Sequence, residues 1–269
     1  MAAEWRSHDG LEALHLTGLE GLGGVGALFT GRRGGVSPRW QCGLNWSFSV
    51  GDDPAQVREN RRRSLSLLGL PVEAGVMAGL VHGDRVVSVD RSMAGAEGEV
   101  GLVPDCDALI TDQPGLALIV TAADCVPVYL YDPIRRVVGV AHAGWRGTVA
   151  GIAGKTAQAM VQTYGCNPAD IHGAIGPSIG PCCYEVDDAV AEPLRRFHGP
   201  QADALLAPGQ ATGKYQLDLW EANRRDLLAA GIVHVTSSQS CTSCQVDRLF
   251  SHRAERGLAG RGAALIALI

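Results

Sequence analysis

Three short apolar runs in the middle of the chain constrain the fold more than any other feature. Residues 116–122 (LALIVTA), 126–132 (VPVYLYD) and 137–142 (VVGVAH) are rich in Val, Ile, Leu and Tyr, and each is too short for a comfortable buried helix. Ala123-Asp124-Cys125 interrupts the first two, and Asp132-Pro133 turns between the second and third. A glycine-rich turn, AGWRG, follows His142, and residues 148–165 then read as a helix closed by Gly165. Strand, glycine turn and helix in succession place polar side chains at a sheet edge, near a helix N-terminus.

The flanking segments supply the rest of the elements. Asp53-Pro54 offers an N-cap followed by proline at the first helical position, so VRENRRRSLSLLGL reads as a helix stopped by Gly69 and Pro71. The runs GVMAGLV and RVVSVD, separated by His82-Gly83-Asp84, read as a hairpin with His82 at its corner. IHGAIGPSIGPCCYEV reads as a strand and a Gly/Pro-rich loop, and Asp218 caps a helix over LWEANRRDLLAA that Gly231 closes. VHVTSSQS and RGAALIALI read as further strands. Strands and helices are mixed without strict alternation, so the expected fold class is α/β (α+β), a layered sandwich around a mixed β-sheet. No repeat, low-complexity tract, linker or composition shift divides the sequence, which reads as one domain over residues 1–269.

Composition narrows the function classes. With 269 residues and 46% hydrophobic content, the chain has ample material for a continuous core. The formal net charge of −5 and the scattered arginines argue against a nucleic-acid partner. The single run Arg61-Arg62-Arg63 reads as the solvated face of a helix. The opening MAAEWRSHDG lacks the pattern of a secretory signal, and no stretch approaches the ~20 apolar residues of a membrane span. A cytoplasmic location follows as the expectation. There the eight cysteines are read as core filler, ligand or nucleophile before disulfide.

His82, Cys125 and His142 each sit where a strand breaks into a turn of small residues. Imidazole and thiolate together suit zinc or copper rather than magnesium or calcium. Three protein ligands with a fourth position open is the pattern of catalytic zinc, which activates water at neutral pH. The same atoms admit a competing use, with Cys125 as thiolate nucleophile and His142 as its base. Arg32, Arg146, Arg253 and Arg261 lie in glycine-bearing loops and form a candidate anion-binding set. Cys241-Thr242-Ser243-Cys244 has CxxC spacing, but its only possible second pair is the adjacent Cys182-Cys183, which chelates poorly. These four read as loop or core cysteines.

LVHGD around His82, TAADCVPV around Cys125 and AHAGWRGT around His142 resemble the signature segments of the laccase-domain (YfiH-type) proteins. That family is variously called multicopper polyphenol oxidase-like proteins, peptidoglycan editing factors and purine nucleoside phosphorylases. GRRGGVS, LNWSFSVGDDPAQVRENR, AIGPSIGPCCYEV and FSHRAERGLAGRGAALI support the resemblance, which runs from about Leu28 to the C-terminus. It implies a four-layer α/β sandwich related to a toxin domain with a Cys-His site. It also implies a metal on His82, Cys125 and His142, zinc or else copper. The implied activity is phosphorolysis of adenosine, inosine and 5′-methylthioadenosine, with adenosine deamination as a companion. Arg32, Arg146 and Arg253 would then bind phosphate or substrate, and the partners would be small molecules, handled by a monomer or homodimer. Two further functions belong to the same resemblance: peptidoglycan-precursor editing with Cys125 as nucleophile, and copper-dependent polyphenol oxidation, for which the eight dispersed histidines are too few. The chain departs from the family at Gly31, Leu80 and His252, where Thr, Gln and Tyr are usual.

Overall fold

Strand after strand in this protein is covered on both faces, because two large mixed sheets lie against each other. The computed structural model describes residues 2–38 and 43–269. The chain opens with β1 (Glu4–His8), β2 (Leu11–His15), the short α1 (Thr17–Glu20), β3 (Val25–Thr30) and α2 (Pro54–Ser66). It continues through β4 (Gly75–Gly79), β5 (Val86–Ser88), β6 (Gly101–Pro104), β7 (Ala108–Thr111), β8 (Ala117–Ala122), β9 (Val126–Asp132) and β10 (Val137–Ala143). Helices α3 (Trp145–Val149) and α4 (Ile152–Tyr164) lead to β11 (His172–Ile175), β12 (Glu185–Asp187) and α5 (Asp188–His198). The last elements are β13 (Leu206–Pro208), β14 (Lys214–Leu217), α6 (Leu219–Ala229), β15 (His234–Ser237) and β16 (Gly262–Leu268).

One sheet has the order β1-β2-β3-β16-β8-β4-β6, the other β15-β11-β9-β10-β7-β5, and a small third sheet has β12-β14-β13. Both large sheets mix antiparallel and parallel pairs. Alternation along the strands sorts side chains into layers. On β8, Leu118 and Val120 meet Tyr129, Val138 and Val140 of the facing sheet, while Ala117 and Ile119 point outward to Leu65 of α2. On β9, Val128 and Leu130 face Ile152, Ala157 and Met160 of α4 and Leu227 of α6. The order of layers is therefore α2, sheet, sheet, then α4 with α6. Two-sided burial explains why these strands read as continuous apolar runs.

Local signals were obeyed at the helix ends. Asp53 accepts from the Ala55 N–H, and Asp218 accepts from the Glu221 N–H. Three expectations are corrected. The runs around His82 form no hairpin: β4 joins the seven-stranded sheet beside β8 and β6, whereas β5 joins the other sheet beside β7. Turn residues mark a change of direction but do not say which sheet receives the next strand. The helix expected over residues 148–165 is two helices, because Gly151 takes a left-handed φ of 74° between α3 and α4. Arg61 is not solvated; it is buried against Trp46, whose carbonyl it binds at 3.0 Å, and Phe48, at 4.3 Å from the ring centre. Among the described residues, no helix is long and apolar enough to cross a membrane.

Candidate metal centre

The crossings between the two sheets build the site. Chain leaving β4 reaches His82 before entering the opposite sheet at β5, and chain leaving β8 reaches Cys125 before entering it at β9. His142 stands on β10, paired with Pro127 of β9. Two sheet changes and one strand end thus converge, and one ligand atom from each of His82, Cys125 and His142 lies within 4.8 Å of the others. The imidazoles of His82 and His142 meet edge to face with ring centres 4.9 Å apart. His142 is buried, Cys125 half-buried and His82 exposed.

Backbone strain accompanies the crossings. His82 has φ 60° and Asp124 has φ 86°, a region that costs a non-glycine residue of order 1–3 kcal/mol. Each is held by specific bonds. The carboxylate of Asp107, fully buried, accepts from the N–H groups of Val81, His82 and Gly83 at 3.1, 3.0 and 2.8 Å. It also takes a hydrogen bond from Nδ1 of His142 at 2.9 Å. Asp124 accepts from Thr242 Oγ1 at 2.5 Å and from the Arg253 N–H at 2.6 Å. Gly144 closes the centre from the other side: a Cβ there would stand 3.0 Å from Cys125 Sγ and 3.3 Å from His82 Cδ2.

The charges of the three groups are coupled. Burial pushes the Cys125 thiol up, but the charge and hydrogen bond of His142, then those of His82, hold it below the usual thiol range. Burial pushes His142 down, but the Cys125 thiolate and Asp107 lift it above the usual imidazole range. Burial likewise raises Asp107, and the His142 hydrogen bond with the loop N–H groups brings it net below its usual range. A carboxylate can only accept, so His142 donates from Nδ1 and presents Nε2 to the centre.

Two cavities flank the triad and share His82, Ala123, Cys125 and His252. The smaller, about 290 Å³, contains Arg146 and Arg253. Arg146 lies over the Trp145 ring at 4.4 Å, and Arg253 lies 5.1 Å from the Tyr184 ring centre while donating to the Glu185 carbonyl at 2.9 Å. The larger, about 540 Å³, is lined by Met77, Leu80, Leu102 and Arg261 among others. Arg32 lines neither cavity: its guanidinium is engaged by the Val246 carbonyl at 2.6 Å and the Glu255 carboxylate at 3.1 Å, over the Phe250 ring. Two arginines of the expected anion set therefore meet in the smaller cavity, Arg261 stands in the larger, and Arg32 is elsewhere. Sequence reasoning missed Asp107. Its one signal is an acidic residue abutting the apolar run of β7, where no solvent is available to it.

The family described as multi-copper polyphenol oxidoreductase laccase has a sequence model that matches residues 26–269. The purine nucleoside phosphorylase YlmD of Geobacillus stearothermophilus is 44% identical over 247 residues, 90% of either chain. The adenosine deaminase RL5 of an unknown prokaryote is 37% identical over 231 residues, 84% of this chain and 87% of that one. The crystal structure of YlmD from Geobacillus stearothermophilus is similar with a TM-score of 0.90 at 41% identity, covering 98% of this chain and 97% of the other.

Proposed function

The chain belongs to the multi-copper polyphenol oxidoreductase laccase family, and from that premise we propose that it is a metal-dependent purine nucleoside phosphorylase. Its substrates are adenosine, inosine and 5′-methylthioadenosine with phosphate, and adenosine deamination is a companion activity. The observation that carries the reading is the convergence of His82, Cys125 and His142 beside two cavities, with His82 and Cys125 in their shared wall and His142 lining the larger. The donor set fits zinc. Two imidazoles and a thiolate at zinc distances stand about 3.3–3.6 Å apart; here the three ligand atoms lie within 4.8 Å of one another, and His142 already has its second nitrogen on a carboxylate. When bound, the metal supplies Lewis acidity and lowers the pKa of water.

The remaining work falls to the chain's own residues. Cleavage of a purine–ribose bond develops positive charge on the sugar, so phosphate must already be aligned with it. Arg146 and Arg253 present planar forks for that anion, and their aromatic and carbonyl contacts orient them in advance. Met77, Leu80 and Leu102 give the larger cavity apolar surface against which a purine ring packs. Incubation with adenosine, with and without phosphate, tests the reading. Adenine and ribose 1-phosphate are expected only when phosphate is present, and their absence from zinc-loaded protein overturns it. Inosine formed without phosphate would leave the deaminase alone.

One observation favours a second reading. Cys125, His142 and Asp107 stand in the order of nucleophile, base and orienting carboxylate, as a cysteine hydrolase requires. A metal-bound thiolate is a poor free nucleophile, so full activity after complete metal removal would support this use of Cys125.

A further inference from the structure

We propose that Cys182, Cys183, Cys241 and Cys244 form a second metal site, a tetrathiolate centre for zinc that staples two loops of the smaller cavity wall. The four sulfurs lie within 4.8 Å of one another, although Cys182 and Cys244 are 62 residues apart in sequence. Cys244 Sγ is 3.5 Å from Cys182 Sγ and 3.4 Å from Cys183 Sγ. Near-equal spacing to two sulfurs is that of two edges meeting at one vertex of a tetrahedron. A tetrahedral Zn–S₄ unit has edges of about 3.8 Å. Two separate disulfides would need each pair close, but would not need all four sulfurs to converge.

The surroundings suit a thiolate at Cys241. The Gly180 N–H donates to Cys241 Sγ at 3.2 Å, which offsets negative charge on that sulfur. Gly180 must remain bare: a Cβ there would meet the Trp220 ring at 2.7 Å. The Cys183 N–H and Tyr184 N–H both bond the Gly180 carbonyl, a tight turn that brings the adjacent cysteines to one side. Cys241 is bridged to Ser178 and its carbonyl accepts from Gln245, so the second pair is also fixed by backbone. The adjacency that disfavours chelation in an extended chain is thus overcome by the turn.

Position gives the site its consequence. Ile179 and Tyr184 reach the smaller cavity from one loop, and His252 and Arg253 from the other. Thr242, inside the CxxC segment, donates to Asp124 beside Cys125. A metal joining the loops therefore holds both the cavity wall and the strained turn next to the triad. Binding releases the thiol protons to solvent and moves no electrons.

The test uses the full chain carrying His82→Ala and Cys125→Ala, loaded with zinc, desalted and measured for metal content. About one zinc ion per chain is expected to remain, and further Cys241→Ser and Cys244→Ser substitutions should remove it. No zinc in the His82→Ala, Cys125→Ala protein overturns the proposal. Cobalt in that same protein should give an intense thiolate-to-metal absorption band. Wild-type protein supplies a reading that needs no cysteine variant: zinc should protect all four thiols from alkylation, and a chelator should expose them. Equal alkylation with and without zinc, or isolation of the four as disulfides, overturns it. If the wild type holds one ion that survives His82→Ala and Cys125→Ala, this site stands and the triad reading falls.

Discussion

His142 donates from Nδ1 to Asp107 across 2.9 Å, and the same carboxylate holds the loop that carries His82. One buried side chain therefore sets the tautomer of His142 and the backbone of His82. Asp107→Asn keeps the shape but points an amide N–H₂ either at backbone N–H groups, which only donate, or at His142 Nδ1, which accepts only in the tautomer that protonates Nε2. We expect about 10–100-fold weaker zinc binding at the triad, the usual cost of losing such a partner. Stability should fall by about 1–3 kcal/mol. Competition with a chromophoric chelator in a background lacking the four-cysteine cluster reads the affinity. An unchanged affinity would show that Asp107 only fixes the fold.

Gly144→Ala separates the triad from the scaffold. Gly144 has φ −66° and ψ 173°, which alanine adopts without strain, so the backbone loses nothing. The new methyl would stand 3.0 Å from Cys125 Sγ and 3.3 Å from His82 Cδ2. We expect a thermal midpoint within a few degrees of wild type and a turnover reduced by about 100-fold, the scale of a 1 Å misplacement. Unfolding curves and product assays on one preparation check both halves. Near-normal turnover would mean the ligands can part freely.

These two residues mark what could and could not be read from sequence. The strands β8, β9, β10 and β16 were legible because burial on both faces leaves unbroken apolar runs, and His82, Cys125 and His142 stood out because each sits where such a strand breaks into a turn. Pairing was not legible: GVMAGLV and RVVSVD lie side by side in sequence yet enter different sheets, a choice made by distant partners β8 and β7. Asp107 was missed for the same reason, since its four bonds come from chain on either side of it. Arg32 shows the converse failure. A glycine-flanked arginine looked like an anion ligand, but Glu255 at a sequence distance of 223 had already claimed it.

Arginine substitutions should divide along that line. Arg146→Ala removes a charged fork from the smaller cavity, and we expect the KM for phosphate to rise about 10–100-fold, equivalent to about 1.5–3 kcal/mol. Arg146→Lys should recover only part of it, because an ammonium lacks the planar pair of donors. Arg32→Ala should leave that KM near wild type and instead cost about 1–2 kcal/mol of stability through its Glu255 and Val246 partners. Steady-state phosphate titrations with urea unfolding of each variant decide it. A large phosphate KM effect from Arg32→Ala alone would reverse the assignment.

Asp226 offers a pH signature remote from the His82, Cys125 and His142 triad. It sits on α6 against α4, where its carboxylate takes the Gly154 N–H at 2.8 Å, and burial raises it above the usual 3.8 despite that bond and nearby Lys155. The folded state thus binds this proton more tightly than the unfolded chain does. Its ionisation lowers stability as pH rises from 3.8 through the higher folded value, and the cost is complete at neutral pH. Asp226→Asn keeps an acceptor for Gly154 and carries no charge. We expect it to melt higher than wild type at pH 7, by about 2–4 °C for each kcal/mol relieved. The gap should narrow as pH falls through the folded value and close below 3.8, where the wild-type carboxyl is protonated in both states. Melting curves of the pair across that range test the sign: a variant less stable at pH 7, or a gap that widens in acid, would show that the ionised carboxylate stabilises the α4–α6 contact.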